Sequence, residues 1–369
     1  GCHIDDGIPA HVLPYAREHV QGFENPGISG EGHLFAAEEH DQVVDDARGG
    51  GEHGVDDRKK MIKYWNHGPH KRKFLKARGQ YVTDVDHGTL SEEMPLLFWG
   101  EWEPNSHVVE TFSPANNLSP RYLHEPYLPS SKKSAVLSPV STPSPCLGDC
   151  NETKKKPKGG CSTDWSNDCC QNTDPFVFGE AFIYSLCQQW KKDSKGHLHT
   201  TYLSKLPIGS LILFGSKVTL DTGSTKEDVF ALDTVFVVGD SHRYTIKNYK
   251  TDLAGFIPKD YGYIMGFDHA RGAGASMNIR CYKGATPSNP VNGMYSFSPC
   301  QVADPKGGKS FQKVVIRKSD GLTNYINVRL TQGFKSSIII PDSEAYKVWK
   351  RICEIVEQQG CLQGVNFQY

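Results

Sequence analysis

The sequence predicts an α+β protein that is mainly antiparallel β, and three observations carry that expectation. From Leu96 onward, short apolar runs alternate with Gly, Pro, Asn and Asp clusters, the pattern of strands joined by turns. Glycine and proline, 36 and 22 of 369 residues, exceed their usual share and argue against a helical bundle. After Pro341, the residues Ala345, Val348, Trp349, Ile352 and Val356 recur at helical spacing, which predicts one C-terminal amphipathic helix.

Taken in order, residues 31–57 hold nine acidic residues against one basic, and 35–48 reads as a helix stopped by Gly49, Gly50 and Gly51. Residues 58–78 then hold nine basic residues and no acid, interleaved with Tyr64, Trp65 and Phe74. Strands are expected at 96–100, 108–112, 176–184, 210–215, 229–238, 263–267, 277–282, 311–317, 325–330 and 337–340. The closing helix is capped by Asp342 or Ser343 and ended by Gly360. This divides the chain into an N-terminal α+β region with the two charge blocks (1–129), a flexible Cys-, Pro- and Lys-rich insertion (130–171), and a β-rich domain with peripheral helices and the C-terminal helix (172–369).

The formal net charge of −1 hides the two opposed blocks, so it does not exclude a polyanionic partner. In the basic block, Lys63, Lys71, Arg72, Lys73 and Lys76 are the candidates for contact with a nucleic-acid backbone. Cations neutralise phosphates while neighbouring rings supply stacking platforms. The alternative is a solvated loop whose charges pair with the acidic block.

The run Leu96 to Ser106 places Glu101 between Trp99 and Trp102. On a strand, Trp99, Glu101 and Glu103 share one face and Phe98, Gly100 and Trp102 the other. A carboxylate between rings suits a pocket for a flat polar base, with the rings stacking and the acid exchanging a proton or accepting hydrogen bonds. A core strand with edge acids is the alternative. Arg121 and Tyr122 form a second cationic and aromatic cluster, and Gln188 offers an amide for a base edge. Asp174 precedes Pro175 at the mouth of an expected strand, where it either does chemistry or caps a turn. Asp233 interrupts an apolar run and must be functional or internally hydrogen-bonded. The candidate catalytic residues are therefore Glu101, Asp174 and Asp233.

No metal or cofactor is expected. Cys146, Cys150, Cys161, Cys169 and Cys170 lack a repeated C-x2-C pair, and the His and Asp residues near the start lack a His-Glu-x-x-His spacing. Dinucleotide fingerprints, P-loops and nucleophile elbows are absent from the sequence. No apolar stretch is long enough to span a bilayer, and the uneven scatter of 11 cysteines fits a reducing cytoplasm.

The stretch Leu206 to Ser216, followed by Phe230 to Val238, resembles the strand pair of PUA-like domains, a group that includes the ASCH and EVE families, although Ser210 stands where that turn often carries Asp. The resemblance implies a PUA-like barrel portion and binding of RNA or of modified bases in DNA. The whole chain is also similar to proteins of nucleotide-modification and anti-phage loci, among them DNA glycosylases that remove glucosylated cytosine derivatives. This implies a cytoplasmic protein that recognises and processes a modified DNA base, by N-glycosidic cleavage, in antiviral defence. It carries over no active-site residue. A non-catalytic reader of modified bases and a protein-interaction module are the alternatives.

Overall fold

The computed structural model describes residues 59–66, 72–102, 106–111, 118, 120, 122–126, 139–140, 173–221, 223–269, 273–304, 312–326 and 337–368. The acidic block, the expected helix at 35–48 and nearly all of the 130–171 insertion, with its cysteines, lie outside these residues.

The strands are β1 (Lys59–Asn66), β2 (Lys73–Asp84), β3 (Thr89–Leu90), β4 (Met94–Gly100), β5 (Ser106–Thr111), β6 (Tyr122–Pro126), β7 (Pro139–Val140), β8 (Ile183–Tyr184) and β9 (Trp190–Lys192). They continue as β10 (Leu198–Thr200), β11 (Leu211–Asp221), β12 (Lys226–Tyr244), β13 (Ile279–Gly284), β14 (Ser298–Val302), β15 (Val314–Ile316), β16 (Ser337–Pro341) and β17 (Leu362–Val365).

One sheet runs β16-β1-β11-β12-β13-β8, with β15 also on β12. The other runs β17-β14-β4-β2-β6-β5-β7 with β3 on β2, and a further β17–β2 pairing closes β2, β4, β14 and β17 into a small barrel. Strands β9 and β10 form a separate hairpin. Pairing is antiparallel except for β1 on β11 and β2 on β6, so the mainly antiparallel expectation holds. Each sheet mixes strands from before residue 130 with strands from after 172, so those two sequence regions do not form separate sheets.

The basic block departs most from its sequence reading, because it supplies β1 and β2. Strand β2 lies between β4 and β6, and its two faces serve two different cores. Leu75 packs with Leu96, Phe98 and Trp102, while Phe74 packs with Leu97 and Trp99. The apolar residues, not the lysines between them, set its position.

Other differences have local causes. Residues 263–267 were expected as a strand, but Tyr261–Ile264 is a helical turn and Phe267–His269 a 3-10 turn. In the helical turn the buried apolar side chains Tyr261, Ile264 and Met265 fall at i, i+3 and i+4, and Gly266 ends the turn with φ +66°. Residues 176–184 are not one strand but a fold-back about Gly179, in which Phe176 and Ile183 exchange both backbone hydrogen bonds at 2.8 Å. Tyr325 lies in a turn that bonds back to Leu322. The long helix is Asp342–Gln358, with Pro341 at its N-cap and no side-chain cap bond. Asp342 and Glu344 instead sit in the first turn, where the helix dipole favours them.

One irregularity shapes the site. Along the β11–β12 ladder Phe214 pairs with Thr234 but Gly215 with Leu232, leaving Asp233 as the extra residue of a β-bulge. The bulge resets the alternation, so Leu232 and Val235 face the same core. A Cβ on Gly215 would lie 2.2 Å from the Ala231 carbonyl oxygen. Gly215→Ala is therefore expected to destabilise the protein by about 2 kcal/mol or more, read as a lowered urea midpoint. An unchanged midpoint would refute the bulge.

Candidate functional site

A chain of buried charges lies where the two sheets meet. Arg72 immediately precedes β2, Glu101 follows β4, Lys313 precedes β15, and Asp233 is the bulged residue of β12. The Arg72 guanidinium reaches both carboxylates, with Nη1 2.7 Å from Glu101 Oε2 and Nε 3.5 Å from Asp233 Oδ2. On its other side Asp233 Oδ1 is 2.9 Å from Lys313 Nζ, and all four side chains are nearly inaccessible. Lys313 Nζ also stands 4.5 Å from the centroid of the Trp99 ring, a cation–π contact. Trp99 stacks obliquely on Phe74 at 5.3 Å. Its buried indole N–H has no acceptor among the described residues. The strand geometry explains this gathering: the bulge re-aims Asp233, and β15, paired with β12 at Val314–Leu232, delivers Lys313 beside it.

Asp174 is a second buried carboxylate. Its Oδ1 accepts the Ser185 N–H at 3.0 Å, and its Oδ2 accepts those of Leu186 and Cys187 at 2.7 and 2.6 Å. Around it, Tyr261 donates to Ser185 Oγ at 2.7 Å and Tyr244 to the Ser185 carbonyl at 2.8 Å. Burial pushes the Asp174 carboxyl up to about 7, and the negative charge of Glu101 adds to the rise. The three N–H bonds oppose it.

A third group lies at β2, β5 and β6. Lys73 Nζ donates to Ser106 Oγ at 3.0 Å, and Ser106 Oγ is 3.1 Å from His124 Nδ1. Burial, with the nearby Lys73 charge, lowers the His124 imidazole to about 4. At neutral pH the ring is uncharged, and its Nδ1 shares a hydrogen bond with the Ser106 hydroxyl.

The structure thus brings two expected carboxylates, Glu101 and Asp233, onto one cation and places Glu101 close enough to act on Asp174. It also corrects several expectations. Arg72 and Lys73 are not surface phosphate contacts, because both side chains are buried against internal partners. Trp102 is a core residue in edge contact with Phe178 at 4.9 Å, so its ring is not an exposed stacking platform. Gln188 occupies a turn with φ +61°, and its side-chain carbonyl is buried without a partner among the described residues. The neighbouring Gln189 amide is spent on the Arg280 backbone, at 2.6 and 2.9 Å. Lys76 lies half-buried on β2. Lys63 and Tyr122 are placed by their backbones on β1 and β6, while Lys71, Arg121 and Glu103 lie outside the described residues.

Sequence reasoning missed Lys313 and Ser106. Lys313 precedes an apolar triplet and carried no visible signal. Ser106 closes the Trp-rich run, and only its cross-strand partners reveal it. Among the described residues no helix is long and apolar enough to cross a membrane. Comparison with family models, with curated proteins and with solved structures finds no match for the chain.

Proposed function

We propose that the protein binds DNA and acts on a base, modified in its natural substrate, by cleaving the N-glycosidic bond, with antiviral defence in the cytoplasm as its setting. The observation that carries this reading is the convergence of Glu101 and Asp233 on Arg72 beside Trp99, with the Glu101 charge acting on Asp174. Glycosidic cleavage needs negative charge to stabilise an oxocarbenium-like sugar and a second carboxyl able to exchange a proton near neutral pH. Glu101 and Asp233, held by the cations Arg72 and Lys313, are the candidates for the first, and Asp174, pushed up to about 7, for the second. Trp99 is itself buried against Phe74 and Lys313, so what it has to offer a base is its indole N–H, which has no acceptor among the described residues. The residues that carry the PUA-like resemblance, 206–216 and 230–238, fall on and beside β11 and β12 of the other sheet and not on the small closed barrel. Lys63, Lys71 and Lys76 remain the candidates for phosphate contact.

One observation favours the non-catalytic reader instead: both Asp174 oxygens are already engaged by backbone N–H groups. The two readings separate in one experiment. The protein is incubated with unmodified and hypermodified DNA, released bases are detected by mass spectrometry, and binding is followed by anisotropy at several salt concentrations. Binding that weakens steeply with salt is expected, together with base release that falls about a hundredfold or more in Asp174→Asn. Binding without release from any DNA would leave the reader. Absence of binding would end both.

A further inference from the structure

We propose that Asp193, His197 and His199, on the β9–β10 hairpin, form a binding site for a divalent transition-metal ion. Asp193 Oδ2 is 3.1 Å from His197 Nδ1 and 3.1 Å from His199 Nε2, and the three donor atoms lie within 4.8 Å of one another. An ion bound at about 2.0–2.2 Å to imidazole nitrogen and carboxylate oxygen needs its donors at about this mutual separation. Two imidazoles and one carboxylate are also a donor set that suits zinc and its neighbours rather than calcium or magnesium.

The hairpin builds this arrangement from its backbone. Asp193 directly follows β9, and its N–H bonds the His197 carbonyl across the hairpin at 2.9 Å. Gly196, with φ +85°, closes the connection. His197 and His199 are two residues apart at the return strand, so both rings project from the same face as Asp193. The carboxylate is also aimed in advance. Its Oδ1 accepts the Lys195 and His197 N–H groups, each at 2.8 Å, which turns Oδ2 toward the two rings. Such outer hydrogen bonds orient a ligand before the metal arrives. The two rings stand perpendicular, with centroids 6.5 Å apart, so their nitrogens converge without stacking. All three side chains are accessible to solvent, and three protein donors leave the remaining coordination position to water.

A second turn shows what the extra histidine adds. Between β2 and β3, Asp84 likewise accepts turn N–H groups, from Asp86 and His87, and its other oxygen is 2.8 Å from His87 Nδ1. That turn offers one imidazole, so it serves as an internal control.

The test titrates the full chain with Zn2+ alone by calorimetry, for the wild type, His197→Gln/His199→Gln and Asp84→Asn/His87→Gln. Because the chain holds other cysteines and histidines, histidine modification by diethylpyrocarbonate, mapped by mass spectrometry with and without Zn2+, identifies the residues protected. We expect one Zn2+ equivalent whose affinity falls at least about tenfold in the hairpin variant and is unchanged in the turn variant, with protection of His197 and His199 but not of His87. Unchanged binding in the hairpin variant, or modification of both hairpin histidines regardless of Zn2+, would overturn the assignment. Both substitutions are at exposed positions, and circular dichroism checks that each variant is folded.

Discussion

Replacing Arg72 with methionine is expected to lower the unfolding free energy by about 3–5 kcal/mol, because it strips a buried ion network of the cation that joins two carboxylates. The ion pairs need not add net stability relative to a well-packed apolar core, since each charge loses its hydration on burial. Removing only one partner is a different matter. Glu101 loses the guanidinium at 2.7 Å, while Asp233 keeps Lys313 at 2.9 Å. Arg72 should therefore couple more strongly to Glu101, at 2.7 Å, than to Asp233, at 3.5 Å. Three variants separate these contributions. Arg72→Lys keeps the charge but not the planar fork that spans both acids, so an intermediate loss is expected. In Arg72→Met/Glu101→Gln both members of the 2.7 Å pair are gone, and the double variant should lose less than the sum of the singles by about 1–3 kcal/mol. Arg72→Met/Asp233→Asn should show weaker coupling. Urea unfolding reads all of these. A loss below about 1 kcal/mol for Arg72→Met, the scale of an exposed pair, would mean that water reaches the cluster.

The part of this network legible in the sequence was its acids. Glu101 and Asp233 are charges set among apolar residues, one just after a strand and one within a strand, and such charges must be paired or functional, whatever the rest of the fold. Their partners were not legible. Arg72 stands between Lys71 and Lys73, and a run of cations reads as a solvated surface. Its burial depends on β2 lying in the middle of a sheet and on a bulge that no composition signal announces. The same limit applies to the strands. Runs such as those of β11 and β12 are dense in β-branched and aromatic residues, and their period identifies them. Strand β2 mixes lysines with Phe74, Leu75 and Val82, and only pairing with β4, β6 and β17 decides its conformation. Around Tyr261 the apolar residues are as consistent with a helical turn as with a strand, and packing selects the turn.

Stability between pH 4 and pH 7 is expected to reflect two buried groups that oppose each other, and single substitutions should expose each in turn. Asp174 is raised in the folded state from 3.8 to about 7. Over that interval the folded protein holds a proton that the unfolded chain has released. The contribution is thus complete below pH 3.8 and is lost as pH rises through about 7. One proton of difference corresponds to about 1.4 kcal/mol per pH unit. His124 runs the other way, lowered from 6.5 to about 4. Its contribution is present above pH 6.5 and is lost as pH falls through about 4, since the unfolded chain then takes up a proton that the buried ring refuses. In the wild type the two slopes oppose between pH 4 and 6.5. His124→Gln removes the opposing slope of the imidazole, so its urea midpoints relative to wild type should fall from pH 4 to 6.5. Asp174→Asn removes the slope of the carboxyl, so its midpoints relative to wild type should rise from pH 4 to 7. The asparagine amide also sets an N–H group against backbone donors from Ser185, Leu186 and Cys187, which lowers stability by a constant amount at every pH. Only the pH dependence of the difference from wild type therefore reports on the carboxyl. A difference that stays flat from pH 4 to 7 would show that Asp174 remains ionised throughout. That result would assign its three N–H bonds the larger effect and remove it as a proton donor near neutral pH.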